Sequence, residues 1–242
     1  MPEMTAIHEE SLALLQSGKY SDFVLACNGA EWNLHKAVVY IHSPVIAAAI
    51  DGQFMGARLD RYSSNQYDVA TMARLIQYVY VQDYSSNPLL AGTWPSMEIL
   101  QDEERQSQLQ DTSQPSPRCL EAEISLNIAA DYYRIPALSA MTRSRIERII
   151  NHRWDATAFP APLKRAEENV VDMFLWKILI DAAAIHIDSL AKSNEFHEVD
   201  WQTGTYKQIF CAQAHILEEE DAKKKESPSQ SSYESRAQAF FC

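Results

Sequence analysis

This chain predicts an α+β fold from three observations: an apolar run turned back at Asn28-Gly29 onto an alternating one, two short helices divided at Ser43-Pro44, and a longer helical repeat beginning at Asp68. Helical spacing continues through the second half. A small β-sheet flanked by a cluster of helices is therefore expected first, followed by a mainly α-helical C-terminal region.

Residues 22–27 are almost continuously apolar, which suits a strand covered on both faces, and Asn28-Gly29 supplies the two positive-φ positions of a tight hairpin turn. In the return strand, 30–34, Trp32 and Leu34 share one face and Glu31 and Asn33 the other. Residues 35–41 read as a short helix. His42-Ser43-Pro44 then starts a second, with Ser43 as cap and Pro44 in the first turn, and Asp51-Gly52 ends it. Its three alanines, Ala47, Ala48 and Ala49, are expected to let another helix approach closely. From the Asp68 cap, Val69, Met72, Ala73, Ile76, Val79 and Tyr80 follow one face of a 3.6-residue repeat, which is expected to be buried.

Residues 85–118 are polar and marked by Pro88, Pro95, Pro115 and Pro117, so this stretch is expected to be an exposed, disordered insertion. A helical stripe resumes at Leu120 with Ile124 and Ile128. After Asn151, a connector carrying Pro160 and Pro162 leads to a helical region, 151–218. Its first stripe is Val171, Phe174, Leu175, Ile178, Ala182 and Ile185; its second is Tyr206, Ile209, Phe210, Gln213, Ala214 and Leu217. The two are expected to pack together or against the first domain. Residues 219–242 are charged and Ser-rich, which predicts a mostly disordered tail in which Phe240-Phe241 docks locally.

With 242 residues and 46% apolar content, the chain can bury one good core and a smaller second one. Its net charge of -12 repels phosphate backbones and argues against direct nucleic-acid binding. Cys27, Cys119, Cys211 and Cys242 form no CxxC pair, as expected in a reducing compartment. The acidic start, with Glu9 and Glu10, lacks the features of a secretory signal, and Asp172, Lys177 and Asp181 interrupt the apolar run 170–187. A soluble intracellular protein, cytoplasmic or nuclear and without a membrane partner, is expected. The six glycines form no phosphate-binding loop. Cys211 and His215 stand four apart and His186 follows another helix, yet no second ligand pair or nucleophile motif completes a site. No catalytic residue, metal, cofactor or small-molecule substrate is expected, and packing or surface placement is the expectation for these histidines.

Tyr20-Ser21-Asp22-Phe23-Val24-Leu25, Leu34-His35-Lys36-Ala37-Val38-Val39 and Tyr78-Val79-Tyr80-Val81-Gln82-Asp83-Tyr84 resemble a BTB/POZ domain. The passage from Ala129 through Ala130-Asp131-Tyr132-Tyr133-Arg134-Ile135-Pro136-Ala137 to Leu138 resembles a late segment of the same family, so the resemblance extends over 1–150, split by the insertion. It implies a protein-interaction module with no active site of its own. Asp22, His35 and Lys36 then correspond to a partly buried polar cluster near the dimer or ligand groove; the alternative is an Asp22–Lys36 ion pair supporting the hairpin-to-helix junction. BTB adaptors of cullin-based ubiquitin ligases present a hydrophobic residue, any residue, then Glu, whereas Phe54-Met55-Gly56 stands at that place here. Gly56 cannot supply the charge-assisted hydrogen bond of a carboxylate, leaving Phe54 and Met55 as the candidate partner contacts.

Ile7, Leu12, Leu14 and Leu15 are read as a dimer face or as a contact within the chain. Arg143, Arg145, Arg148 and Arg153 are read as solvated cations near a helix C-terminus rather than a nucleic-acid patch. The C-terminal half resembles that of BTB-only proteins abundant in fungi. The function these features imply is a non-catalytic protein–protein interaction scaffold that associates with itself, as a homodimer, or with other proteins. The alternative is a substrate adaptor that binds a cullin.

Overall fold

The structure is a computed structural model describing residues 2–51, 60–84, 117–169 and 172–226. Helix α1 (Pro2–Ser17) ends where Gly18, at φ +59°, donates its N–H to the Leu14 carbonyl at 3.1 Å. A Cβ at Gly18 would stand 3.2 Å from the Asn33 Cβ, so both the backbone hand and the close approach call for glycine. Strands β1 (Phe23–Cys27) and β2 (Ala30–Leu34) pair antiparallel across the turn, with Asn28 at φ +45° and Gly29 at φ +88°. As the alternation predicts, β2 buries Ala30, Trp32 and Leu34 and exposes Glu31 and Asn33.

Helix α2 (Lys36–His42) is followed by α3 (Pro44–Asp51). The Ser43 hydroxyl accepts the Ile46 N–H at 3.2 Å and donates to the Tyr133 carbonyl at 2.8 Å, so the cap also ties α3 to a distant segment. Of the three alanines in α3, Ala48 is exposed and Ala47 and Ala49 are half-buried, and α2 packs on this helix. A short strand, β3 (Arg61–Ser63), pairs parallel with β1 and completes a sheet of order β2-β1-β3.

Helix α4 (Val69–Val81) starts at Asp68, whose carboxylate accepts the Thr71 N–H at 2.7 Å. The expectation of one buried face understates it. Leu75, Gln77, Tyr78 and Val81 are buried along with the predicted stripe, because α1, α2 and α5 (Pro117–Tyr132) all pack on this helix. Helix begins at Pro117, so the last two residues of the expected insertion are helical; residues 85–116 lie outside the described residues.

Helix α6 (Pro136–His152) packs along α5, and buried Asn127 donates across the contact to the Ser139 carbonyl at 3.1 Å and the Thr142 hydroxyl at 2.8 Å. These two helices serve two cores. Leu126, Ala129, Ala130 and Leu138 join the sheet and α4, whereas Leu120, Ile124, Ile146 and Ile150 join the C-terminal helices. Residue 150, where the sequence divides the chain, thus falls inside α6.

Helices α7 (Pro160–Asn169), α8 (Met173–Ile185), α9 (Ile187–Leu190), α10 (Asn194–Glu198) and α11 (Thr203–Glu226) complete the second core. Pro160 and Pro162 open α7 rather than forming a connector; a proline in the first turn removes an N–H that has no partner there. The buried face of α8 also differs in phase. It buries Leu175, Leu179, Ala182 and Ala183, while Phe174 and Ile185 point to solvent. Along α11, Ile209 is buried whereas Tyr206, Phe210, Ala214 and Leu217 are exposed.

Helix α11 also runs eight residues beyond residue 218. Glu219, Glu220 and Asp221 each precede Lys223, Lys224 and Lys225 by four positions, the order that favours a helix. Residues 227–242, with Phe240-Phe241, lie outside the described residues. Among the described residues no helix is long and apolar enough to cross a membrane.

Candidate functional site

The three polar residues singled out at the hairpin-to-helix junction come together. Asp22, just ahead of β1, donates its N–H to the Leu34 carbonyl at 3.0 Å and accepts the Lys36 N–H on its carboxylate at 2.7 Å. His35 occupies the cap position of α2 without a side-chain cap bond, so Asp22, fourteen residues earlier, satisfies that end of the helix. The expected Asp22–Lys36 ion pair is replaced by this backbone cap. The Lys36 ammonium instead pairs with Asp60 at 2.5 Å, and that hydrogen bond raises its pKa. Asp60 sits at φ +46°, and its carbonyl accepts the Val24 N–H at 2.8 Å, tying the entry of β3 to the same junction.

His35 is buried between two partners. Its Nε2 lies 2.7 Å from the Lys19 carbonyl, which can only accept, so the neutral ring carries its proton on Nε2. Its Nδ1 then accepts the Tyr80 hydroxyl proton at 2.7 Å, and that oxygen accepts the His35 N–H at 3.0 Å. Burial is the main cause holding the Tyr80 phenol well above its ordinary range. The junction thus joins the end of α1, the hairpin, α2, β3 and α4.

Two large apolar side chains flank this junction in solvent. Tyr20 is 90% exposed with φ +64°, a backbone region that disfavours bulky residues, and Ile41 on α2 is 79% exposed. Both were missed by pattern reading, although Gly18-Lys19-Tyr20 carries the glycine signal of a turn. Phe54, Met55 and Gly56 lie outside the described residues, as does the side chain of Ile7. Leu15 is buried in the first core and Leu12 packs against it, so the contact within the chain is the one these two make; Leu14 is half-buried.

Of the four arginines read as solvated, Arg148 and Arg153 are exposed, whereas Arg143 and Arg145 depart from that expectation. Arg143 pairs with Asp172 at 2.5 Å and lies 5.4 Å from the centre of the Phe174 ring. Arg145 pairs with Asp83 at 2.7 Å, donates to the Tyr84 carbonyl at 3.2 Å and stacks 3.9 Å over the Tyr84 ring. Both work as ties between helices because their partners lie on neighbouring segments. Beneath Arg145, the Tyr84 hydroxyl donates to buried Glu123 at 2.5 Å. Burial raises the Glu123 pKa against the opposing pulls of Tyr84 and Arg145.

His186 stacks on Trp154 at 3.9 Å, and burial lowers its pKa. Cys211 is exposed, and His215 lies 3.3 Å from Glu219 on the same helix. Among the described residues no three His, Cys, Asp or Glu side chains are grouped to hold a metal ion.

A comparison with the curated proteins finds no match to this chain. The family model of the BTB/POZ domain matches residues 12–98, a span that holds the end of α1, the whole sheet, α2 to α4 and the junction. The match stops short of the Ala129–Leu138 passage, whose likeness rests on its residues alone. That domain is a protein–protein interaction module, and this chain carries one over residues 12–98.

Proposed function

We propose that the protein is a non-catalytic, intracellular interaction scaffold whose partner, a second copy in the first instance, docks on the junction face built around Asp22, His35 and Lys36. The observation that supports this most is Tyr20. A side chain that is 90% exposed on a left-handed backbone costs conformational energy and contributes little to the protein's own packing. The hydrogen bonds around His35 and Lys36, one of them to the Lys19 carbonyl, hold the neighbouring backbone on a stiff base, and a tyrosine side chain, with two rotors, loses little entropy on binding. Asp22 and Lys36 stand beside it to fix orientation through charge.

The test is the mass of the full chain over two decades of concentration, for the wild type and for Tyr20→Ala. A concentration-dependent dimer, weakened at least about tenfold by the substitution at unchanged melting temperature, supports the reading. Monomers throughout, with tight binding to an added cullin, would favour the adaptor alternative, in which Phe54 and Met55 make the contact. Gly56 stands against that alternative.

A further inference from the structure

Helix α11 turns one side to the second core, where Thr205 and Ile209 are buried and Ala212 and Ile216 partly so. About a third of a turn round the helix from that side, Lys207, Cys211, His215, Glu218 and Ala222 are all exposed. Cys211 and His215 are one turn apart and separated by about 40° around the axis, so their side chains are neighbours on this face. The His215 Nδ1 lies 3.3 Å from the Glu219 Oε1. A carboxylate can only accept, so the neutral ring carries its proton on Nδ1 and keeps the Nε2 lone pair for another partner. An imidazole whose second nitrogen is held by a carboxylate is fixed in the tautomer and orientation of a metal ligand.

A thiol and an imidazole make half of a tetrahedral zinc site, and among the described residues no third ligand of the same chain is grouped with them. A second copy brings the other half. When two α11 helices lie antiparallel about a two-fold axis level with Gln213, Cys211 of one copy faces His215 of the other, because each stands two residues from the axis. The same register places Lys207 and Glu218 of opposite copies on one flank, within about 1.5 Å of the same height, so opposite charges meet twice. It also sets Gly204 against Ala222. Nothing lies within 4 Å of where a Cβ at Gly204 would stand, and small side chains at both ends of the contact let the helix axes come close enough to share one ion. Thiolate with imidazole favours zinc over magnesium and calcium, which seek oxygen ligands. The dication and Lys207 offset the repulsion between two chains that each carry a net charge of -12.

We propose that Cys211 and His215 are half of a structural zinc site that the same pair of a second copy completes, so that one zinc ion joins two chains through α11, on a face separate from Tyr20. Each thiol gives its proton to solvent as its zinc–sulfur bond forms, and the ion is then held by two thiolates and two neutral imidazoles with no water ligand. The test titrates the reduced full chain with divalent cobalt, whose visible and thiolate charge-transfer bands report tetrahedral sulfur ligation, and with zinc while light scattering follows the mass. The expected results are bands that saturate at one cobalt per two chains, and a mass that doubles with zinc and falls back with a chelator. Cys211→Ser and His215→Ala, both on an exposed face and so expected to keep the wild-type melting temperature, should each weaken metal binding at least about 100-fold, and Glu219→Ala about tenfold. Tyr20→Ala should leave the cobalt bands and the zinc-driven doubling unchanged, which separates this contact from the junction face. Absence of the bands, their survival in Cys211→Ser, one metal per chain at constant mass, or association that needs oxidation rather than metal would overturn the proposal, the last by making the contact a disulfide.

Discussion

Replacing Asp172 should uncouple the C-terminal helices from α6, and the size of the loss follows from two contacts. Its carboxylate caps α8 by accepting the Phe174 and Leu175 N–H groups at 3.0 and 3.3 Å, and a lost acidic cap costs about 1 kcal/mol. The same side chain, 6% exposed, pairs with Arg143, which is 25% exposed. Stranding one partner of a fully buried pair costs about 3–5 kcal/mol, but water still reaches Arg143, so about 1 kcal/mol is the appropriate share. Asp172→Ala should therefore lose about 2 kcal/mol, whereas Asp172→Asn, which keeps a capping oxygen, should lose about 1 kcal/mol. Urea unfolding followed by tryptophan fluorescence suits the measurement, because Trp154, Trp176 and Trp201 all belong to the second core. A loss below about 0.5 kcal/mol for Asp172→Ala, or equal losses for the two variants, would refute the assignment of cap and pair to one carboxylate.

Other outcomes follow from the junction and from two half-buried histidines. Tyr80→Phe leaves the His35 N–H and Nδ1 without their shared partner in a buried place, and should cost about 2–3 kcal/mol by urea unfolding; a cost under about 1 kcal/mol would contradict the geometry. Asp22→Ala should cost about 1 kcal/mol through the lost cap on α2, while Asp22→Asn should stay within about 0.5 kcal/mol. Association weakened in Asp22→Asn at full stability would show that a partner reads the charge itself. Burial lowers the pKa of both His42 and His186 from 6.5. Between the lowered values and 6.5 the unfolded chain binds more protons than the folded one, so stability should be complete above that window and fall as the pH drops through it. His186→Phe, which keeps an aromatic ring to stack on Trp154, should flatten part of that slope in melting curves taken across the window; an unchanged slope would discount His186.

The hairpin was legible because Asn28-Gly29 and the alternation in residues 30–34 are local signals, and the caps at Ser43 and Asp68 were legible for the same reason. Strand β3 was not, since three residues paired in parallel to a strand far back in the chain leave no periodic trace. The α8 face was misphased because Met173-Phe174-Leu175-Trp176 and Ile178-Leu179-Ile180 place apolar residues all around the helix, and only tertiary packing chooses among them. Arg143 and Arg145 read as solvated because their carboxylate partners lie 29 and 62 residues away. At the junction, Asp22, His35 and Lys36 were identifiable by type, but their wiring to Lys19, Asp60 and Tyr80 is a property of the fold.

Site-specific photo-crosslinking from position 20 tests the central claim most directly. The full chain would carry p-benzoylphenylalanine in place of Tyr20, with the same probe at exposed Lys207 on α11 as control. The scaffold account predicts discrete covalent adducts from position 20, a dimer of the chain foremost, that position 207 does not give and that unlabelled protein suppresses by competition. Equal labelling from both positions, or none from position 20 at concentrations where the protein associates, would contradict the account.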